Sequence, residues 1–180
     1  MFSPIESIHP SSPSRPCEGS EQWYSTKPPS PIQAPTHQAS LTLVADDKAP
    51  RAARSFTRSA LAAWDMEDLL DRTVLIVSEL TTNAERHGRR PAWQEPPGGT
   101  GQDSAEQITL TLAVQADLVG IEVEDNSPLL PMPRASSPQD TSGRGLQLVS
   151  AAADVWMVRP NEDGTGKRVL AFVQRPGSFR

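Results

Sequence analysis

Cysteine is nearly absent from this chain. Cys17 is the single one, so neither an internal disulfide nor a cysteine-built zinc site can form. A long apolar run is also missing: nothing approaches the roughly 18 residues of a membrane-spanning helix. The N-terminus has Ser and Pro where a signal peptide needs positive charge followed by an apolar stretch. Blocks of basic residues are lacking too. The 17 Lys and Arg are scattered, and the net charge is −5, which argues against a nucleic-acid surface. No internal repeat is visible. The expectation is a protein of the cytoplasm, with no direct contact to nucleic acid or membrane.

What is present divides the chain in two. Residues 1–38 hold eight of the 18 prolines, many serines and few apolar residues. Such a segment cannot bury enough surface to offset its ordering entropy, so it reads as a disordered tail. Trp23 and Tyr24 are isolated aromatics within it. Residues 39–176 read as one domain, long enough for a two-layer core.

The patterns along that domain alternate between periods. "SLTLVA" reads as an edge strand. "DDKAPRAARSFTRSALAAW" starts acidic and continues in good helix formers, with Ala52, Phe56, Ser59, Ala60 and Ala63 as a small apolar face. A second helix fits from about Met66 to His87. Gly88 to Gln107 is rich in Gly and Pro and reads as a surface loop. "ITLTLAV" and "LVGIEVED" alternate as strands, followed by a proline-rich loop, a short helix in "RGLQLVSAAA", and strands "DVWMVR" and "KRVLAFVQ". Strands joined by short turns pair antiparallel. The fold class expected is therefore α+β: a two-layer sandwich, mostly antiparallel sheet, with helices over one face.

Three places are able to carry chemistry. In "VSELTTNAERHG", steps of about 100° per residue put Glu79 and Asn83 together at the border of the helix's apolar face, with His87 next in the four-residue row. Neighbours four apart touch, so a carboxylate and an amide there could share a cation; a solvated polar edge has the same spacing. In "IEVEDNSP", strand parity aims Asp125 with Val119, Ile121 and Val123 toward the helices. A carboxylate so aimed needs a donor, either a ligand amine or a backbone N–H of the turn begun by Asn126-Ser127-Pro128. In "TSGRGLQLVSAAAD", Gly143 and Gly145 precede a helix whose start suits an anion; a tight loop has the same pattern. The Lys-Ser/Thr of a P-loop is missing. Lys167, on the last strand, reads as a surface lysine.

Taken in order, these motifs resemble the histidine-kinase-type ATPase superfamily shared by DNA gyrase and sensor histidine kinases. Within it the chain looks most like the stand-alone anti-sigma-factor serine/threonine kinases and their actinobacterial relatives. The residues that match are Ser78 to Gly88, Val123 to Pro128, and Gly143 to Val149. The resemblance covers roughly residues 40–175. It implies the histidine-kinase-like ATPase fold, with ATP and Mg²⁺ as cofactors. By it, Asn83 is the Mg²⁺ ligand, Glu79 the carboxylate that orients or deprotonates the attacking hydroxyl, and Asp125 the acceptor for the adenine amine. Gly143, Arg144, Gly145 and Leu146 would cradle phosphates, joined by His87 and Arg86. Partners implied are a sigma factor and its anti-anti-sigma antagonist protein, with homodimerisation. A protein kinase and a nucleotide-holding switch without phosphoryl transfer are both compatible with it. The chain departs from the superfamily at Asn126, Ser127 and Pro128, where glycines are usual, and in a short proline-rich lid from Pro128 to Gly143.

Overall fold

The computed structural model describes residues 34–88, 106–130 and 145–177. The tail expected over 1–38 lies mostly outside the described residues, as do most of the Gly88–Gln107 loop and the lid. His37 and Gln38 open the first strand.

Strand β1 (His37–Val44) leads into helix α1 (Ala49–Ala63). A single 3-10 turn (Glu67–Leu69) runs straight into α2 (Leu70–His87). Strands β2 (Gln107–Gln115) and β3 (Leu118–Asp125) form a hairpin. Helix α3 (Gly145–Ala152) then precedes the pair β4 (Val155–Pro160) and β5 (Lys167–Gln174). The five strands form one sheet in the order β1-β2-β3-β5-β4, antiparallel throughout. The expected α+β sandwich and its element order are what the chain adopts.

Strand alternation decides which side is buried. Ile108, Leu110, Leu112 and Val114 of β2 are buried, as are Val119, Ile121 and Val123 of β3 and Val169, Ala171 and Val173 of β5. Registers such as Leu110↔Val123↔Val169 stack these side chains in rows across the sheet. The helices complete the layer. Helix α2 lies at the centre, between α1 and α3 and against β3, β2 and β5. Its buried stripe is Thr73, Ile76, Val77, Leu80, Thr81 and Ala84, wider than the apolar residues alone.

Helix α1 corrects the expected face. Its buried residues are Ala49, Ala53, Thr57, Ala60 and Leu61, while Ser59 and Ala63 are exposed. The stripe recentres because Thr57 donates its hydroxyl to the Ala53 carbonyl at 2.8 Å, which removes the polar penalty of burying it.

Two arginines hold the layers together. Arg72 of α2 donates through Nε to the Ala152 carbonyl at the end of α3 (2.9 Å), through Nη1 to the Gln174 carbonyl (3.2 Å), and through Nη2 to Asp154 (2.9 Å). Arg175, just after β5, donates to both carboxylate oxygens of Asp68 at 2.8 Å, to Asp117 in the β2–β3 turn, and to the Asp65 carbonyl. Asp65 and Ala116 are the two non-glycine residues with left-handed φ among those described, at 56° and 51°. Both mark the sharp connections that Arg175 bridges.

Candidate functional site

At the end of the molecule away from Arg175, α2 finishes beside the end of β3 and the start of α3. Glu79 and Asn83 lie four residues apart on the half-buried border of α2. Gly145, the first residue of α3, stands on top of them. A Cβ placed at Gly145 would lie 2.8 Å from Glu79 Oε2 and 3.4 and 3.5 Å from the Asn83 amide atoms. Since Ala152 at the other end of α3 meets Arg72, α3 runs antiparallel to α2 and directs its N-terminus at this pair.

That geometry has definite chemical capacity. The backbone N–H groups and positive dipole end at the start of α3 favour an anion. Glu79 offers a carboxylate and Asn83 an amide oxygen within one helical turn of each other. Among the described residues no three His, Cys, Asp or Glu side chains gather into a metal cage. An Asn oxygen beside bound phosphates still fits Mg²⁺, which keeps several waters and takes few protein ligands.

Asp125 lies past the last turn of α2. Its side chain is 4% exposed and on the helix-facing side of β3, where strand parity puts it. Gly88 makes this packing possible: a Cβ there would come within 2.8 and 2.9 Å of Asp125 Cβ and Cγ. Gly166, before β5, similarly lets that strand cross the Asp125–Asn126 backbone closely.

Asp125 is held through one carboxylate oxygen. Its Oδ1 accepts the Ser127 N–H at 2.9 Å and the Lys167 ammonium at 2.7 Å. The ammonium also donates to the Ser127 carbonyl at 3.1 Å. Both the turn-starting role and the buried, inward-facing role foreseen for Asp125 are therefore present together. Burial pushes the Asp125 pKa above the ordinary carboxylate value. The ion pair with Lys167 and the Ser127 N–H pull it back only in part, and the nearby Glu106 carboxylate adds to the rise.

Lys167 corrects the reading of a surface lysine, since its side chain is 6% exposed. The signal was in the strand's own alternation. Lys167 shares parity with Val169, Ala171 and Val173, so it shares their buried face.

The remaining residues separate. Leu146 is the half-buried second residue of α3. His87 and Arg86 are exposed in the last turn of α2. Gly143 and Arg144 lie outside the described residues.

Comparison with known proteins agrees with this fold. The family model of the histidine kinase-like ATPase domain matches residues 43–171. Among solved structures, the RsbU and RsbW domains of Rv1364c from Mycobacterium tuberculosis superpose with a TM-score of 0.51 at 19% identity, a likeness of fold. The match covers 78% of this chain and 32% of that one, so the present chain spans about a third of its length. No curated protein matches the sequence significantly.

Proposed function

The chain belongs to the histidine kinase-like ATPase family, and on that premise we propose that it is a regulatory protein that binds Mg–ATP and phosphorylates an antagonist protein. The observation that carries the reading is the meeting of Glu79, Asn83 and Gly145, with Asp125 buried just past the end of the same helix. One end of the arrangement suits phosphates and the other suits a base.

In this reading Asp125 accepts from the exocyclic amine of adenine. Gly145 and Leu146 at the start of α3, with Gly143 and Arg144 just ahead of them in the sequence, would hold the phosphates, and His87 would join them. Mg²⁺, when bound at Asn83, neutralises phosphate charge. Glu79 accepts the proton of a serine or threonine hydroxyl as its oxygen bonds to the γ-phosphorus. The bond from that phosphorus to the β–γ bridging oxygen breaks, and ADP leaves. The partners assigned in this reading, a sigma factor and an anti-anti-sigma protein, follow from the sequence resemblance of Ser78 to Gly88, Val123 to Pro128 and Gly143 to Val149.

A second reading has its own support. Asp125 Oδ1 is already taken by Lys167, and Asn126-Ser127-Pro128 replaces the usual glycines. Both features suit a slow nucleotide-holding switch that sequesters a regulator without phosphoryl transfer. The test is Glu79→Gln assayed with labelled ATP and candidate antagonist proteins. Loss of phosphorylation with ATP binding retained supports the kinase. Nucleotide binding by the wild type without any transfer favours the switch, and no heat on titration with Mg–ATP defeats both.

A further inference from the structure

Lys167 is a buried cation that the family resemblance left unassigned. It sits on β5 at the register position opposite Asp125. Its ammonium bridges Asp125 Oδ1 and the Ser127 carbonyl, so two of its three donors clamp the segment in which Asp125 lies. The second carboxylate oxygen takes no part in these bonds.

A lone carboxylate at 4% exposure is costly in its charged form. Protonated, it would present an O–H and could no longer serve as an acceptor alone. The charged groups that act on it are Lys167 from β5 and Glu106 ahead of β2. Gly88, which caps the end of α2, packs against it and brings no charge. Lys167 is thus the cation that offsets both burial and the repulsion from Glu106.

We propose that Lys167 is the positioning residue of the base pocket: it ties Asp125 Oδ1 to the β3 end and so presents the other carboxylate oxygen, as an acceptor, to the amine of the base. The proposal rests on the reading of Asp125 as the base acceptor. It assigns Lys167 an effect exerted through Asp125, with no contact to the nucleotide of its own.

The experiment compares ATP with purine riboside triphosphate, which lacks the 6-amino group, by calorimetric titration of the full chain between about pH 6 and pH 8.5. The wild type should prefer ATP. Lys167→Met should weaken ATP roughly tenfold or more while changing the analogue little, so the preference collapses. Its ATP affinity should also fall as pH falls, because the unpaired carboxylate takes up a proton. Lys167→Arg should restore both the preference and a flatter pH profile. If Lys167→Met melts near the assay temperature, Lys167→Gln, which keeps a donor without the charge, serves for the same comparison.

Unchanged or tighter ATP binding by the neutral variants, with the preference intact, would overturn the proposal and leave the base-acceptor reading standing. Equal weakening of both ligands would also overturn it. A wild type with no preference for ATP over the analogue would remove the base-acceptor reading and this proposal together.

Discussion

Gly145 of α3 and Glu79 of α2 approach so closely that a methyl group on Gly145 would lie 2.8 Å from Glu79 Oε2. The obstacle is the far end of a flexible side chain, which can swing aside without moving backbone. Gly145→Ala should therefore leave the fold nearly untouched, with a melting temperature within about 2 °C of wild type. On the proposed role of Glu79 as the base, its displacement should cost function instead. We expect phosphoryl transfer to fall roughly tenfold or more, measured as labelled-phosphate incorporation next to a thermal melt of the same sample.

Gly88→Ala should behave in the opposite way. Here the added methyl meets Asp125 Cβ and Cγ, and also the Ala84 carbonyl of α2. Asp125 cannot yield, because Lys167 and the Ser127 N–H hold it. Overpacking of this kind costs about 1–3 kcal/mol. Chemical denaturation should show the loss with or without nucleotide, and a variant as stable as wild type would mean that the α2 end can back away from β3.

The buried pair should couple in a double-mutant cycle. Removing one partner leaves an uncompensated charge at about 5% exposure, at a cost of about 3 kcal/mol or more. Asp125→Asn and Lys167→Met should each be strongly destabilising. The double variant should be less destabilised than the sum of the two, by at least about 1 kcal/mol. Additive losses would show that the two groups are stabilised by other neighbours.

The Arg175 clasp should be visible in the acid limb of stability. Its guanidinium, beside Asp68, holds that carboxyl below the ordinary carboxylate value. A group with a lowered folded pKa stabilises above its unfolded pKa, and the stabilisation is lost as pH falls through the folded value. Arg175→Met should thus reduce the melting temperature near neutrality and flatten its dependence below about pH 4, the two curves converging at the lowest pH. The groups are exposed, so the difference is modest and shrinks in high salt. Asp125 acts with the other sign: its raised pKa makes stability fall as pH rises from the ordinary carboxylate range toward the folded value.

The sheet was legible because one of its faces is wet. Period-two alternation in Ile108–Val114 and Leu118–Asp125 gave both the strands and their buried sides, and β3 and β5 match the expected spans residue for residue. The helices were legible in extent and less so in orientation. In α1 the buried face is built of Ala and a self-satisfied Thr57, residue types whose apolarity is too weak to fix an angle. Thr73 and Thr81 of α2 escaped notice for the same reason. At the site, Glu79, Asn83 and Asp125 stood out because polar groups interrupted apolar periods. Lys167 shares the parity of the buried residues of β5, but a lysine so close to a turn invites the solvent-facing assignment. Its burial depends on a carboxylate 42 residues away in the chain, and no local pattern contains that fact.

Because α2 touches α3 at Asn83 and the end of β3 at Gly88, one helix works as the site's ruler. Five residues of helix separate the two contacts by about 7.5 Å at 1.5 Å per residue, and the backbone hydrogen bonds allow little stretch. A single residue inserted between them would rotate Gly88 by about 100° away from Asp125. The distance from the Gly145 contact to the Asp125 contact is therefore a calibrated length, set by helical pitch rather than by loops.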